Sequence, residues 1–258
     1  MLAAITGAGS GLGAAIAHRL AADHYAIAVI DINESAAQET VRALQSADVQ
    51  AAAFVADSSK AAQLGAAIGA AVNALGPLEV MVNNAGVLDG YFDVDEMDES
   101  LWRRVIDIDL TGVYLGSKRA LEEMLPRGRG RIVNMASVAG LNGTGGGAAY
   151  VAAKHGVVGL TRQMAVRYAP RGIRVNCVCP GAIPTDLRKN SQQILGPGVP
   201  DMSGRGVAVN DDQVRALVPA GVRGTVEDVA NAVAFLASEA AAYVNGHTLV
   251  VDGGWRAK

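Results

Sequence analysis

The opening of the chain narrows its fold more than any other stretch. A short apolar run at residues 2–5 leads into Thr6-Gly7-Ala8-Gly9-Ser10-Gly11-Leu12-Gly13, and a helical apolar pattern takes over at 14–22. Strand, glycine-rich turn and helix start are the parts of a phosphate-binding βα unit. Glycines let the backbone approach a pyrophosphate, and the helix start offers free N–H groups and the positive end of its dipole. The spacing is G-x-x-x-G-x-G rather than G-x-G-x-x-G. Glycines also serve plain turns, but the position between strand and helix favours nucleotide binding.

The rest of the chain keeps the same alternation. Apolar runs at 26–30, 50–55, 78–82, 131–135, 173–178 and 247–251 are separated by helical patterns at 35–46, 59–75, 99–125, 148–169 and 226–238. Strands alternating with helices imply a parallel, doubly wound α/β sheet with ligands at the strands' carboxyl ends. No repeat, low-complexity tail or linker marks a boundary, so one domain over residues 1–258 is expected. Residues 186–224 break the pattern with Gly196, Pro197, Gly198, Pro200, Gly204 and Gly206, interspersed with apolar residues such as Leu187, Leu195 and Met202. Such a segment reads as a lid.

Composition excludes several classes. A net charge of -3 gives no reason to expect nucleic-acid binding. Apolar runs stay short of membrane-spanning length, and the first residues lack a basic leader, so a soluble cytoplasmic protein is expected. Cys177 and Cys179 lie on one face of a strand and read as reduced, buried thiols. With scattered histidines and no second cysteine pair, no metal site is expected.

Chemistry gathers at the strand ends. Asp31 closes the second strand, where a carboxylate accepts hydrogen bonds from a ribose 2′-OH and repels a 2′-phosphate. Ile32, Asn33 and Glu34 add no cation, so NAD is expected; the competing reading of Asp31 is a helix N-cap. Asp57 follows the third strand in position to meet an adenine edge, and Asn83-Asn84-Ala85-Gly86 follows the fourth, able to pin neighbouring loops. Beyond the fifth strand come Ser137, a glycine-rich bend, and a helix with Tyr150 and Lys154 four apart on one face. Bringing a phenol from about 10 to about 7 takes roughly 4 kcal/mol of preference for the phenolate. A lysine cation about 5 Å away, at an effective dielectric of about 20, supplies roughly 3 kcal/mol. Against this stands chance spacing, and a serine after a strand is commonly a turn residue.

Taken in order, TGAGSGLG at 6–13, NNAG at 83–86, Ser137, YVAAK at 150–154, PGAIPT at 180–185 and GHTLVVDGG from 246 make the chain resemble the short-chain dehydrogenase/reductase family in its single-domain form. The resemblance implies a Rossmann-type sheet of about seven parallel strands ordered 3-2-1-4-5-6-7, with NAD(H) across the strand ends. It places the coenzyme on Gly7, Ser10, Gly11, Leu12 and Gly13, on Asp31, Ile32 and Asp57, on Asn84, Ala85 and Gly86, on Tyr150 and Lys154, and on Pro180, Gly181, Ile183 and Thr185. It makes Tyr150 the proton exchanger and Ser137 the partner of the substrate oxygen. Lys154 then holds the nicotinamide ribose and lowers the tyrosine pKa. One departure stands out: Asp109 occupies the place of an asparagine thought to hold a proton-relaying water.

The activity implied is NAD-dependent oxidation of a secondary alcohol, or reduction of its ketone, by a homo-oligomer (a dimer or a tetramer) packed through the long helices. Leu88, Tyr91, Phe92 and the apolar lid suggest an apolar, cyclic substrate. Two alternatives remain open. One is a 3-oxoacyl carrier-protein reductase docking through Arg129 and Arg171, against which Asp31 argues. The other is a catalytically silent NAD-binding protein, against which Ser137, Tyr150 and Lys154 argue.

Overall fold

The computed structural model describes the chain except residues 198, 200, 201, 203, 208 and 209. Seven strands form one sheet in the order 3-2-1-4-5-6-7, every neighbouring pair parallel. They are β1 (Leu2–Thr6), β2 (Ala26–Asp31), β3 (Ala51–Val55), β4 (Leu78–Asn83), β5 (Gly130–Met135), β6 (Ile173–Pro180) and β7 (Thr248–Val251). All of β1 and β4 is buried, which explains why β1 reads as an almost wholly apolar run and β4 as one interrupted by Glu79: helices cover both faces. On one face, α1 (Gly11–Ala22), α2 (Glu34–Gln45) and α9 (Val226–Ala237) pack Ile16, Leu20, Leu44 and Val233 on Ile5, Val29 and Val82. On the other, α3 (Ala61–Leu75), α5 (Gly112–Met124) and α6 (Ala148–Tyr168) pack Ile68, Met124 and Met164 on Leu2, Met81 and Ile132. The strand order reverses between β1 and β4, and the carboxyl edge beside that reversal is where ligands of such sheets bind.

Three departures from the sequence reading bear on function. The helix expected over 99–125 is α4 (Glu99–Ile106) followed by a π turn at Asp107–Thr111 and then α5. A π turn inserts an extra residue, and Asp109 in this one is wholly buried. The expected irregular lid carries α7 (Leu187–Leu195) and α8 (Asp211–Leu217), the latter capped by the Asn210 side chain on the N–H of Gln213. Gly198 and Pro200, two of its breakers, lie outside the described residues. Finally, Arg129, named above as a docking cation, is ion-paired while remaining largely exposed. Its guanidinium lies 2.9 Å from the buried Glu79 carboxylate, which Arg131 also meets at 2.9 Å.

Thr225 caps α9 in a reciprocal box with Asp228. Cys177 and Cys179 are free and buried, packed with Val113, Val157 and Val158. No helix among the described residues is long and apolar enough to cross a membrane.

Candidate active site

A cleft of about 780 Å3 runs along the carboxyl edge of the sheet. Gly7, Ser10, Gly11, Leu12 and Gly13 form one wall, at the start of α1. Ser10 makes no side-chain cap, so the uncapped helix start faces the cavity and suits an anionic group. The loop is tight enough that a Cβ at Gly13 would lie 2.1 Å from the carbonyl oxygen of Gly7. Asn84 pins that loop, donating to the carbonyls of Thr6 at 3.0 Å and Gly7 at 3.1 Å. The Thr6 hydroxyl in turn accepts from the N–H groups of Asn84 and Ala85. The loop pinning expected of both asparagines is present at Asn84 alone; Asn83 is buried and donates to Ser117 on α5 and Asn134 on β5.

Asp31, Ile32 and Asp57 line the far end of the cleft. The Asp31 carboxylate accepts from the N–H of Gly9 at 2.8 Å and of Asn33 at 2.9 Å. The residue that caps α2 is Asn33, on the N–H of Ala36; Asp31 faces the cleft instead. One Asp57 oxygen is held by the N–H and hydroxyl of Ser59, and its own N–H donates to Gln63. Lys60 borders the same cleft, a cation that a search of the residues next to Asp31 could not find. The size of the cleft, its uncapped helix start and its close-packed glycines fit a dinucleotide.

At the middle of the edge, Tyr150 and Lys154 share one face of α6. The Lys154 ammonium is 5.2 Å from the centre of the Tyr150 ring, 3.3 Å from the carbonyl oxygen of Met135, and 3.1 Å from Oδ2 of Asp109. The other Asp109 oxygen accepts from the N–H of Val87 at 2.8 Å. Oδ2 makes no aligned hydrogen bond, so its contact with the lysine is ionic. Burial raises the Asp109 carboxyl against the opposing pull of Lys154. Burial alone would depress Lys154, but Asp109 and Tyr150 outweigh it and hold the ammonium charged.

The lysine distance matches the sequence expectation, but the expected net fall in the tyrosine pKa does not hold for the protein alone. Burial is the largest influence and raises the phenol. Lys154 and the Ser137 hydroxyl lower it, while Asp109 raises it further. Neither the desolvation of the ring nor the carboxylate that partly cancels the cation shows in the spacing of Tyr150 and Lys154.

A smaller cavity of about 150 Å3 adjoins this point, bordered by Ser137, Leu88, Tyr91, Val138, Trp255 and two arginines, Arg188 and Arg223. Gly181 and Ile183 line this cavity, Pro180 lines the cleft, and Tyr150, Thr185 and Leu187 border both. Phe92 and the lid residues Leu195, Val199 and Met202 pack together with Leu88, so much of the apolar lid is spent on its own core. Helix α7 lies across the cleft. Asn190 donates to the Ser10 hydroxyl at 3.2 Å, and Arg104 donates to the carbonyl of Ile194 at 2.5 Å. Sequence reading missed Arg104, Asn190 and Arg188, none of which sits in a motif.

The family model described as short chain dehydrogenase matches residues 1–195. Among curated relatives, 2-(S)-hydroxypropyl-CoM dehydrogenase 3 of Xanthobacter autotrophicus is 43% identical over 255 residues, covering 98% of this chain and 96% of its own. Cyclohexanol dehydrogenase of an Acinetobacter species is 39% identical, covering 100% of this chain and 95% of its own. A solved gluconate 5-dehydrogenase from Burkholderia cenocepacia, in complex with NADP and tartrate, superposes with a TM-score of 0.88 at 32% identity, over 99% of this chain and 95% of that one.

Proposed function

Because the chain belongs to the short-chain dehydrogenase/reductase family, we propose that it is an NAD-dependent oxidoreductase acting on a secondary alcohol or its ketone, with Tyr150 as the acid–base group. The observation that carries this reading is that Tyr150 borders both the long cleft and the small cavity. A proton acceptor there reaches a substrate on one side and a coenzyme on the other.

The coenzyme supplies the hydride chemistry at nicotinamide C4. In oxidation the alcohol gives up its carbinol hydride and its hydroxyl proton, leaving a ketone; reduction runs the reverse. The phenolate of Tyr150 takes the hydroxyl proton, and Ser137 donates a hydrogen bond to the same oxygen. Lys154, kept charged by Asp109, favours the phenolate and lies within the cleft for a ribose hydroxyl. Asp31 would hold the adenosine ribose, which favours NAD over NADP. We read the whole chain as one such domain, with residues 186–224 as its lid. Exposed Trp102, Tyr114 and Val166 on α4, α5 and α6 support a homo-oligomer joined through those helices.

The small cavity suits a compact, neutral, cyclic alcohol, in keeping with the cyclohexanol dehydrogenase relative. Arg188 favours a second reading, a substrate with a carboxylate away from its carbinol. Its guanidinium borders the cavity and meets the neutral Tyr91 hydroxyl at 3.2 Å. Incubating the protein and NAD with neutral cyclic alcohols and with hydroxy acids, and following the reduced-nicotinamide absorbance, separates the two. We expect turnover of the neutral cyclic set. Turnover confined to hydroxy acids would select the second reading. Coenzyme binding without any turnover would mark a silent binder and contradict both.

A further inference from the structure

We propose that Asp89 is a positioning residue for Tyr150, clamping the first turn of α6 to the wall of the small cavity and so setting where the phenol sits. The proposal rests on Tyr150 being the acid–base group. Asp89 is wholly buried, an uncommon place for a carboxylate. One oxygen accepts from the N–H of Tyr150 at 2.9 Å; the other accepts from Gly147 at 2.9 Å and from Tyr91 at 3.1 Å. Gly147 is the residue just before α6, and Tyr150 lies in its first turn, where N–H groups lack helical partners.

The arrangement goes beyond an ordinary cap. Caps usually come from the residue adjoining the helix, whereas this carboxylate lies 58 residues upstream of Gly147. It also reaches the amide of the reactive residue itself. Its third partner, Tyr91, borders the small cavity and holds a φ of 60, a left-handed conformation that a bulky residue keeps only when its surroundings impose it. The same strap is fixed again where the N–H of Ala148 donates to the carbonyl of Phe92 at 3.0 Å. A Cβ at Gly147 would lie 2.6 Å from the backbone of Phe92 and 2.8 Å from Asp89, which accounts for the glycine there. One side chain thus ties a wall of the substrate cavity to the backbone that carries the phenol, and a change at either end is felt at the other.

The test compares kcat, KM and coenzyme Kd for the wild type and Asp89→Asn. Asparagine keeps the shape but presents a donor where an oxygen accepted, so at least one clamp becomes donor against donor. The expected result is a kcat lower by between about tenfold and a hundredfold, with coenzyme Kd changed far less, because Asp89 itself does not line the cleft. Asp89→Ser, whose single and shorter hydroxyl oxygen cannot accept from all three N–H groups, should show the same split and covers the case in which the asparagine variant does not fold. A folded variant of either kind with the wild-type kcat overturns the proposal. Loss of coenzyme binding or of folding in both overturns it too, since that would mark a role for the whole fold and not for Tyr150. A wild type that turns over no alcohol would instead sink the acid–base reading on which the proposal stands.

Discussion

Asp109 and Tyr150 compete for the same ammonium. Asp109 raises the phenol directly but also helps to hold Lys154 charged, so its replacement by asparagine removes one influence of each sign. Lys154 is still held charged by the Tyr150 phenolate it faces, so the direct influence of the carboxylate is the one lost and the phenol pKa falls. Oxidation needs the phenolate, so the rising limb of kcat/KM against pH should move to lower pH in Asp109→Asn, with activity retained. A limb that moves upward, or a complete loss of activity, would contradict this electrostatic account. Asp109 could be picked out in the sequence because it breaks a pattern, and Ser137, Tyr150 and Lys154 because they complete one. Asp89 could not. Its partners are 58 and 61 residues away, and its task is to receive main-chain N–H groups, which leave no trace in side-chain spacing.

Elements read from the sequence divide by how they are held. Buried strands such as β1 and β4 show themselves as apolar runs because both of their faces are covered. Helices α7 and α8 do not, being short, polar on much of their surface and set among glycines and prolines. The π turn inside the long helix was equally hidden: its extra residue slips the apolar register by one position, which so short a pattern does not distinguish from ordinary irregularity. The end of β2 is the element on which coenzyme choice turns. Asn33 takes the capping duty there, which frees Asp31 to face the cleft, although Lys60 stands on the same cleft. We expect kcat/KM for NAD to exceed that for NADP, and Asp31→Ser to shrink that ratio by about tenfold or more, the value of one lost charge repulsion or charged hydrogen bond. A wild-type preference for NADP would show that Lys60, or another cation, decides instead.

At the scale of the molecule, the parallel sheet brings residues from distant parts of the chain to one edge. The glycine loop after β1, Asn84 after β4, Ser137 after β5 and Thr185 after β6 meet there only because the strand order reverses between β1 and β4. Helix α6 carries Tyr150 to the seam between the cleft and the small cavity, and α7 spans the opening above it. That organisation was open to sequence reading because each motif ends a strand; the seating of α7 across the cleft was not, because it depends on Asn190 and Arg104, which meet their partners only in the fold. The account as a whole depends on proton exchange at one phenol. Its most direct test is turnover and coenzyme affinity in Tyr150→Phe, with any secondary alcohol the wild type oxidises. Turnover should fall by about a hundredfold to ten-thousandfold with coenzyme affinity unchanged. A variant that keeps the wild-type rate would contradict the account.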